Sequence, residues 1–294
     1  MNEPAQQMSC MEVWGGSRLT NSRVEFGGLD AWVYSKPYGQ AHSGGDVYYA
    51  SSCASGRITR LLLADVAGHG ASVAATAADL RLLMRRFVNR LDQTEFVRLM
   101  NRQFTQLSGQ SVFATSVVTT FFAPTRRFTV CNAGHPRPLM YRASQAQWSF
   151  LSHEESDGPS GPRNLPLGIL SISDYDQFDV ELEVGDCVMT YTDALIESQD
   201  ADGQMLGEDG LLRIMRLLDN VDVAELIPTL LAEIGDRYPE NLSADDVTVM
   251  VLRATKRQLE FSLRDRLGAL MMSSRFVLEP ATSSASVPMA RILP

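Results

Sequence analysis

The stretch ITRLLLADVAGHG, residues 58–70, constrains the fold more than any other. An apolar run of strand character ends in Asp65 and passes into a Gly-His-Gly turn. A carboxylate at the end of a buried strand is costly unless a cation meets it. Glycines in such a turn let the backbone pass close to another group. From Ala71 to about Arg90 the pattern is helical, with Leu80, Leu83, Met84 and Phe87 on one face and Arg81, Arg85 and Arg86 mostly off it.

The remaining strand and helix signals come in blocks. LDAWVYSKPY reads as a strand ending at Pro37, after an irregular stretch over residues 1–30 that holds two glycine pairs. DVYYASSC and ITRLLLADV form a hairpin across ASGR, and a second helix is expected at 94–107. SVFATSVVTTFFAP and RFTVCNAGH read as an antiparallel pair, PLMYRA and QWSFL as a short hairpin, and SHEESDGPSGPRN as a polar loop. FDVELEVGDCVMTYTDALIES carries two strands around Gly185-Asp186. Helices at 208–219 and 222–236 precede the last strand, DDVTVMVLRA. The pattern predicts an amphipathic helix over 256–272, and EPATSSASVPMARILP at the end has the composition of a disordered tail. Blocks of strands and helices, without βαβ alternation, predict an α+β fold with antiparallel sheets.

Composition narrows the function. The 294 residues carry 45% hydrophobic and 21% charged side chains, as a globular chain with a substantial core does. The net charge of -9 argues against a nucleic-acid partner. Cys10, Cys53, Cys131 and Cys187 form no CxxC pair, so neither zinc nor a disulfide framework is indicated and reduced thiols are expected. The N-terminus lacks the basic-then-apolar order of a signal peptide. No stretch approaches the roughly 18 apolar residues of a membrane span. A cytoplasmic protein with no membrane contact is the expectation.

Four acidic sites share one local grammar, a carboxylate at a strand edge beside a tight turn or apolar run. They are Asp46 in SGGDVYY, Asp65 in LLLADVAGHG, Asp193 in VMTYTDALIES, and the pair Asp245-Asp246 in SADDVTVMVL. Any one of them alone reads as a turn former or a helix cap. Brought together they would repel one another, so convergence requires hard divalent ions with oxygen ligands, Mg²⁺ or Mn²⁺.

The ordered set GGDVYY, ADVAGHG, NAGHPRPLMYR, LPLGI, MTYTDALIES and ADDVTVMVLR resembles the SpoIIE/RsbU-type branch of the PPM (type 2C) metal-dependent Ser/Thr protein phosphatases, over about residues 40–253. The resemblance implies a sandwich of two antiparallel β-sheets flanked by α-helices, with the metals at one end. It divides the chain into an N-terminal extension (1–35), a catalytic domain (36–254) and a C-terminal helix and tail (255–294), and the extension is too short for a sensory domain. It makes Asp46, Asp65 and Asp193 the catalytic residues. Asp65 would bridge two ions, the Val66 carbonyl would bind one of them, and Asp46 would stand near that same ion, directly or through water. Asp193 and Asp245 would hold the other, with a one-residue ambiguity between Asp245 and Asp246. Gly68 and Gly70 would let the loop approach the ions. His69 and His135 read more readily as packing or hydrogen-bonding residues than as ligand or general acid.

Two ions of this kind activate water for in-line attack on a phosphoserine or phosphothreonine. The implied partner is a phosphorylated regulatory protein, a STAS-type anti-sigma-factor antagonist, and a homodimer is compatible with the sequence. The sequence departs from the family pattern at Ala194, where glycine is usual, and at Tyr49, where many relatives carry an acidic residue. These departures leave room for the alternative of a catalytically weak binding module that sequesters a phosphoprotein.

Overall fold

The computed structural model describes residues 6–7, 13–53, 56–68, 73–90, 92–108, 112–151 and 162–257. All of them lie in the first of two compact units, residues 1–259. The helix expected at 256–272 and the tail beyond it lie outside the described residues, apart from residues 256–257. So does most of the polar loop at 152–164.

In chain order the elements are β1 (Gln6–Gln7), β2 (Val13–Gly16), β3 (Thr20–Phe26), β4 (Leu29–Lys36), β5 (Asp46–Cys53) and β6 (Ile58–Val66), then α1 (Ala74–Phe87) and α2 (Gln93–Ser108). There follow β7 (Ala114–Phe122), β8 (Arg127–Ala133), β9 (Leu139–Arg142), β10 (Gln147–Phe150), β11 (Gln177–Glu181) and β12 (Cys187–Tyr191). The chain continues through α3 (Ala194–Glu197), α4 (Gly207–Leu217) and α5 (Val223–Gly235) to β13 (Val247–Ala254). One sheet has the order β1-β3-β4-β13-β12-β9-β10 and the other β11-β8-β7-β6-β5-β2. Every pairing is antiparallel except β1 with β3. The expected α+β sandwich of two antiparallel sheets is what the chain forms.

The period-2 alternation of the strands builds the layers. In β6, Leu61 and Leu63 enter a core between the sheets with Ala31 and Val33 of β4 and Met250 and Leu252 of β13. Leu62, Ala64 and Val66 point the other way, under Leu80, Met84 and Met100 of α1 and α2. Val249 and Val251 of β13 pack outward against Leu211, Met215, Leu230 and Ile234 of α4 and α5. Cys53, Cys131 and Cys187 are free thiols.

The structure departs from the sequence reading or adds to it in three places. Residues 1–30 are not irregular throughout: β2, β3 and the start of β4 lie there, and β3 and β4 pair within the sheet completed by β13. The segment read as an extension over 1–35 thus supplies strands to both sheets. Its glycine pairs caused the misreading. A Cβ on Gly15 would come within 2.4 Å of the Tyr48 carbonyl, so that glycine marks a close strand approach and not a loop. Gly28, at φ +74°, makes the β3–β4 turn. The strands around Gly185-Asp186 belong to different sheets, because β11 pairs with β8 and β12 pairs with β9 and β13. Asp186 fixes that crossing: its buried carboxylate accepts from the backbone N–H groups of Glu183 and Ala143 and from Arg142 Nη1, each at 2.9 Å. The short helix α3 after Asp193 is the third difference; the sequence reading continued a strand there.

Candidate metal centre

The site is built where the apolar alternation of the inter-sheet core runs out. Asp46 opens β5 directly opposite Asp65 near the end of β6, and Thr115 of β7 lies opposite Asp65 on the other side. Asp65 shares the parity of Leu61 and Leu63, so it faces the space between the sheets. From the facing sheet come Thr192, just after β12, and Thr248 of β13. Thr192 Oγ1 donates to Asp46 Oδ2 at 2.9 Å and accepts from the Thr248 backbone N–H at 3.0 Å. Ser35 and Thr248 hydroxyls meet at 3.0 Å. The core therefore turns from leucine and valine to hydroxyls and then to carboxylates along its length.

Asp46 is buried, while Asp65 and Asp193 are partly buried. Burial pushes the Asp46 carboxyl well above the usual carboxylate range, and repulsion from Asp246 and Asp193 adds to it, against hydrogen bonds from Thr248 and Thr192. Burial likewise raises Asp65, with Asp46, Asp193, Asp245 and Asp246 adding repulsion. Asp193 is raised by burial and by Glu197.

The contrast with other buried aspartates is informative. Asp30 is held by Arg23 at 2.7 Å and Arg257 at 3.1 Å, and Asp186 by Arg142. Among the described residues no Lys or Arg pairs with Asp46, Asp65 or Asp193. Among the described residues these carboxyls have no cationic partner, and carboxylate oxygens beside threonine hydroxyls are the donor chemistry of Mg²⁺ and Mn²⁺. They are not drawn into a closed shell: among the described residues no three His, Cys, Asp or Glu side chains are set to grip one ion.

The two adjacent aspartates before β13 have separate positions. Asp246 is buried and clamped, Oδ1 accepting from Tyr38 N–H at 2.6 Å and Oδ2 from Gly45 N–H at 2.7 Å. A Cβ on Gly44 would fall 2.1 Å from Asp246 Oδ1, so only glycine permits this clamp. Asp245 is half-buried, and its Oδ1 accepts from the Asp246 N–H at 2.7 Å. A Cβ on Gly45 would meet the Val66 carbonyl at 2.9 Å and the Gly68 carbonyl at 3.1 Å. The loop after β6 thus folds onto Gly45, beside Asp46, and Gly68 turns it at φ +102°. His69 and Gly70 lie outside the described residues.

Neither departure from the family pattern disturbs this arrangement. Ala194 is the first residue of α3, with Asp193 at the helix boundary (φ -62°), and Ala194 is not among the positive-φ residues. Tyr49 has the opposite parity to Asp46 and lies in the core beneath α1, away from the carboxylates. His135 is buried, its Nδ1 2.8 Å from Thr115 Oγ1 and its backbone tied to Asn132 in both directions. Burial lowers its pKa to about 3, against a smaller opposing effect of the Tyr191 backbone, and Nε2 has no hydrogen-bond partner among the described residues. Thr192, Thr248 and the clamping role of Asp246 escaped the sequence reading. Their signal was a polar residue at a core-facing strand position beside an acidic one.

A sequence model of the SpoIIE family (Stage II sporulation protein E) matches residues 55–255. The phosphoserine phosphatase RsbU of Bacillus subtilis (strain 168) is 24% identical over 205 residues, 66% of this chain and 55% of RsbU, so the chain spans about half the length of that relative. The structure of the RsbU and RsbW domains of a Mycobacterium tuberculosis protein aligns with a TM-score of 0.64 at 22% identity, covering 88% of this chain and 71% of that one. The catalytic domain of the serine threonine protein phosphatase PstP, in complex with 2 manganese ions, aligns with a TM-score of 0.54 at 15% identity, covering 78% and 99%. At these identities the structural likenesses establish the fold.

Proposed function

The chain belongs to the SpoIIE family, and from that premise we propose that it is a Mn²⁺- or Mg²⁺-dependent phosphatase acting on phosphoserine or phosphothreonine of a cytoplasmic regulatory protein. A STAS-type anti-sigma-factor antagonist is the proposed substrate; similarity to the phosphoserine phosphatase RsbU supports the phosphoserine class. The observation that carries the reading is the set of carboxyls at one end of the sandwich, which have no Lys or Arg partner among the described residues and are raised in pKa by burial and neighbouring carboxylates.

In this reading Asp65 would be shared by two ions, Asp193 and Asp245 would help hold one, and the Val66 carbonyl and Asp46 the other. Bound there, the ions would supply an acidified water as nucleophile and neutralise the phosphoryl oxygens. The chain's own residues supply the placement. Thr192 holds Asp46 from the opposite sheet. Asp246 fastens the start of β13 to Tyr38 and Gly45, and so sets Asp245 and Asp46 relative to each other. We take Asp245 as the ligand because both Asp246 oxygens already accept backbone amides. Burial lowers the pKa of His135, so it stands as the neutral imidazole at pH 7 and not as an imidazolium acid.

The test is phosphate release from a serine-phosphorylated STAS-type antagonist and from p-nitrophenyl phosphate, with Mn²⁺ and with EDTA. Metal-dependent release from both is expected. Tight binding of the phosphoprotein without turnover of either substrate would favour the sequestering module. Turnover confined to phosphotyrosine peptides or nucleotides would overturn the substrate class.

A further inference from the structure

We infer that Thr192 is a positioning residue for the Asp46 side of the proposed metal centre: its hydroxyl ties that carboxylate to the turn that carries Asp193, so one braced turn places ligands at both ions. The inference rests on the two-ion reading and deepens it by naming a residue on which the affinity of one ion depends.

Thr192 is fixed through its backbone before its hydroxyl is considered. Its N–H donates to the Thr248 carbonyl at 3.0 Å, and its carbonyl accepts from the Leu195 N–H at 3.3 Å as the chain turns into α3. Asp193 follows directly, and its carbonyl accepts from the Ile196 and Glu197 N–H groups, each at 2.8 Å. The β-branch of threonine narrows χ1 as well. The hydroxyl is therefore aimed by a turn already held on both sides.

That hydroxyl has one proton to place. Oγ1 accepts from the Thr248 N–H at 3.0 Å, which leaves the proton for Asp46 Oδ2 at 2.9 Å or the Thr248 carbonyl at 3.4 Å. The nearer acceptor is also the one that can carry charge, so the proton goes to Asp46. Thr248 lends a second hydroxyl, which also meets Ser35 at 3.0 Å. Thr192 and Thr248 are fully buried and Asp46 is buried, so water does not compete for these bonds.

The consequence is geometric. Asp46 belongs to β5 and stands opposite Asp65, whereas Thr192 comes from the facing sheet. With Oδ2 engaged by Thr192, Oδ1 is left for an ion or its water. Loss of the hydroxyl would free Asp46 to turn, while Asp193 keeps its place at the start of α3. Partners behind a metal ligand that fix its orientation in this way commonly contribute 10- to 100-fold in affinity.

The experiment titrates the metal-free full chain with Mn²⁺ by calorimetry. Wild type should take up two ions. Thr192→Val keeps the side-chain shape and removes the hydroxyl; it should hold one ion as wild type does and bind the other at least about tenfold more weakly. Thr192→Ser should restore both Kd values to within about threefold. Ser35→Ala removes a buried hydroxyl of the same network and leaves the Thr192–Asp46 bond intact, so its Kd values should stay within about twofold whatever its Tm. Added to Asp46→Ala, Thr192→Val should weaken binding by less than about twofold further, because the group it acts through is gone. Should Thr192→Val not fold, Thr192→Ala is compared with Thr192→Ser in its place. Unchanged Kd values in Thr192→Val, or an equal loss in Thr192→Ser or Ser35→Ala, would overturn the inference. If wild type binds two Mn²⁺ and releases no phosphate, the phosphatase reading fails, yet a tenfold loss confined to Thr192→Val would still support the positioning role.

Discussion

Replacing Asp65 by asparagine removes one of the mutually repelling carboxyls, and the account predicts two opposite consequences. Turnover should fall by more than about a thousandfold, because a neutral amide cannot balance two divalent ions; Asp193→Asn should behave alike. The metal-free protein should become more stable at pH 8. The sign follows from linkage: burial and repulsion raise the folded pKa of Asp65 above its unfolded value, so the native state binds more protons. Stability from this group is fully present below about pH 4 and is lost as pH rises through the folded pKa. Thermal unfolding in EDTA should show wild type losing stability from acid towards pH 8 more steeply than Asp65→Asn does. The adjacent aspartates should separate cleanly. Asp245→Asn should abolish activity with little change in Tm. Asp246→Asn should place an amide donor against one of two backbone N–H groups and destabilise by about 2 kcal/mol, measured by urea unfolding. At this scale the sequence singled out Asp46, Asp65, Asp193 and the Asp245-Asp246 pair because four acidic sites share one setting at strand edges, and the structure sets Asp46 opposite Asp65. It did not separate Asp245 from Asp246, since the difference lies in amides of Tyr38 and Gly45, some 200 residues away in the chain.

Strands and turns determine where those side chains arrive. The β5–β6 hairpin was legible from its turn residues and alternation, and its register places Asp46 against Asp65. The β2 and β3 strands were not legible, because glycine pairs and polar outer positions imitate a loop when the partner strand is unseen. The same parity rule resolves Tyr49, which faces α1 and not the carboxylates. Its hydroxyl is buried without a hydrogen-bond partner among the described residues. Tyr49→Phe should therefore leave activity unchanged and be neutral or stabilising by up to about 1 kcal/mol in thermal unfolding. Gly45→Ala should do the reverse. Its Cβ would press on the Val66 and Gly68 carbonyls, and the loop carrying Val66 must shift. Calorimetry should show Mn²⁺ affinity reduced by about tenfold or more with the secondary structure retained by circular dichroism.

Among the described residues, helices pack on the outer faces of both sheets, and the carboxylates occupy a core end where hydroxyls replace aliphatic side chains. Block ordering of strands and helices gave the fold class without coordinates. The joining of β11 and β12 to different sheets could not be read locally, because a turn at Gly185-Asp186 looks the same whether or not its strands pair. No helix among the described residues is long and apolar enough to cross a membrane. The central claim is that this end of the sandwich gathers Asp46, Asp65, Asp193, Asp245 and the Val66 carbonyl around divalent ions. Crystals soaked in Mn²⁺ and measured at the manganese absorption edge test it directly. Two anomalous peaks are expected, both in contact with Asp65, one also with Asp193 and Asp245 and the other with the Val66 carbonyl. Saturating Mn²⁺ with no peak at Asp65, or peaks only at surface carboxylates elsewhere, would contradict the account.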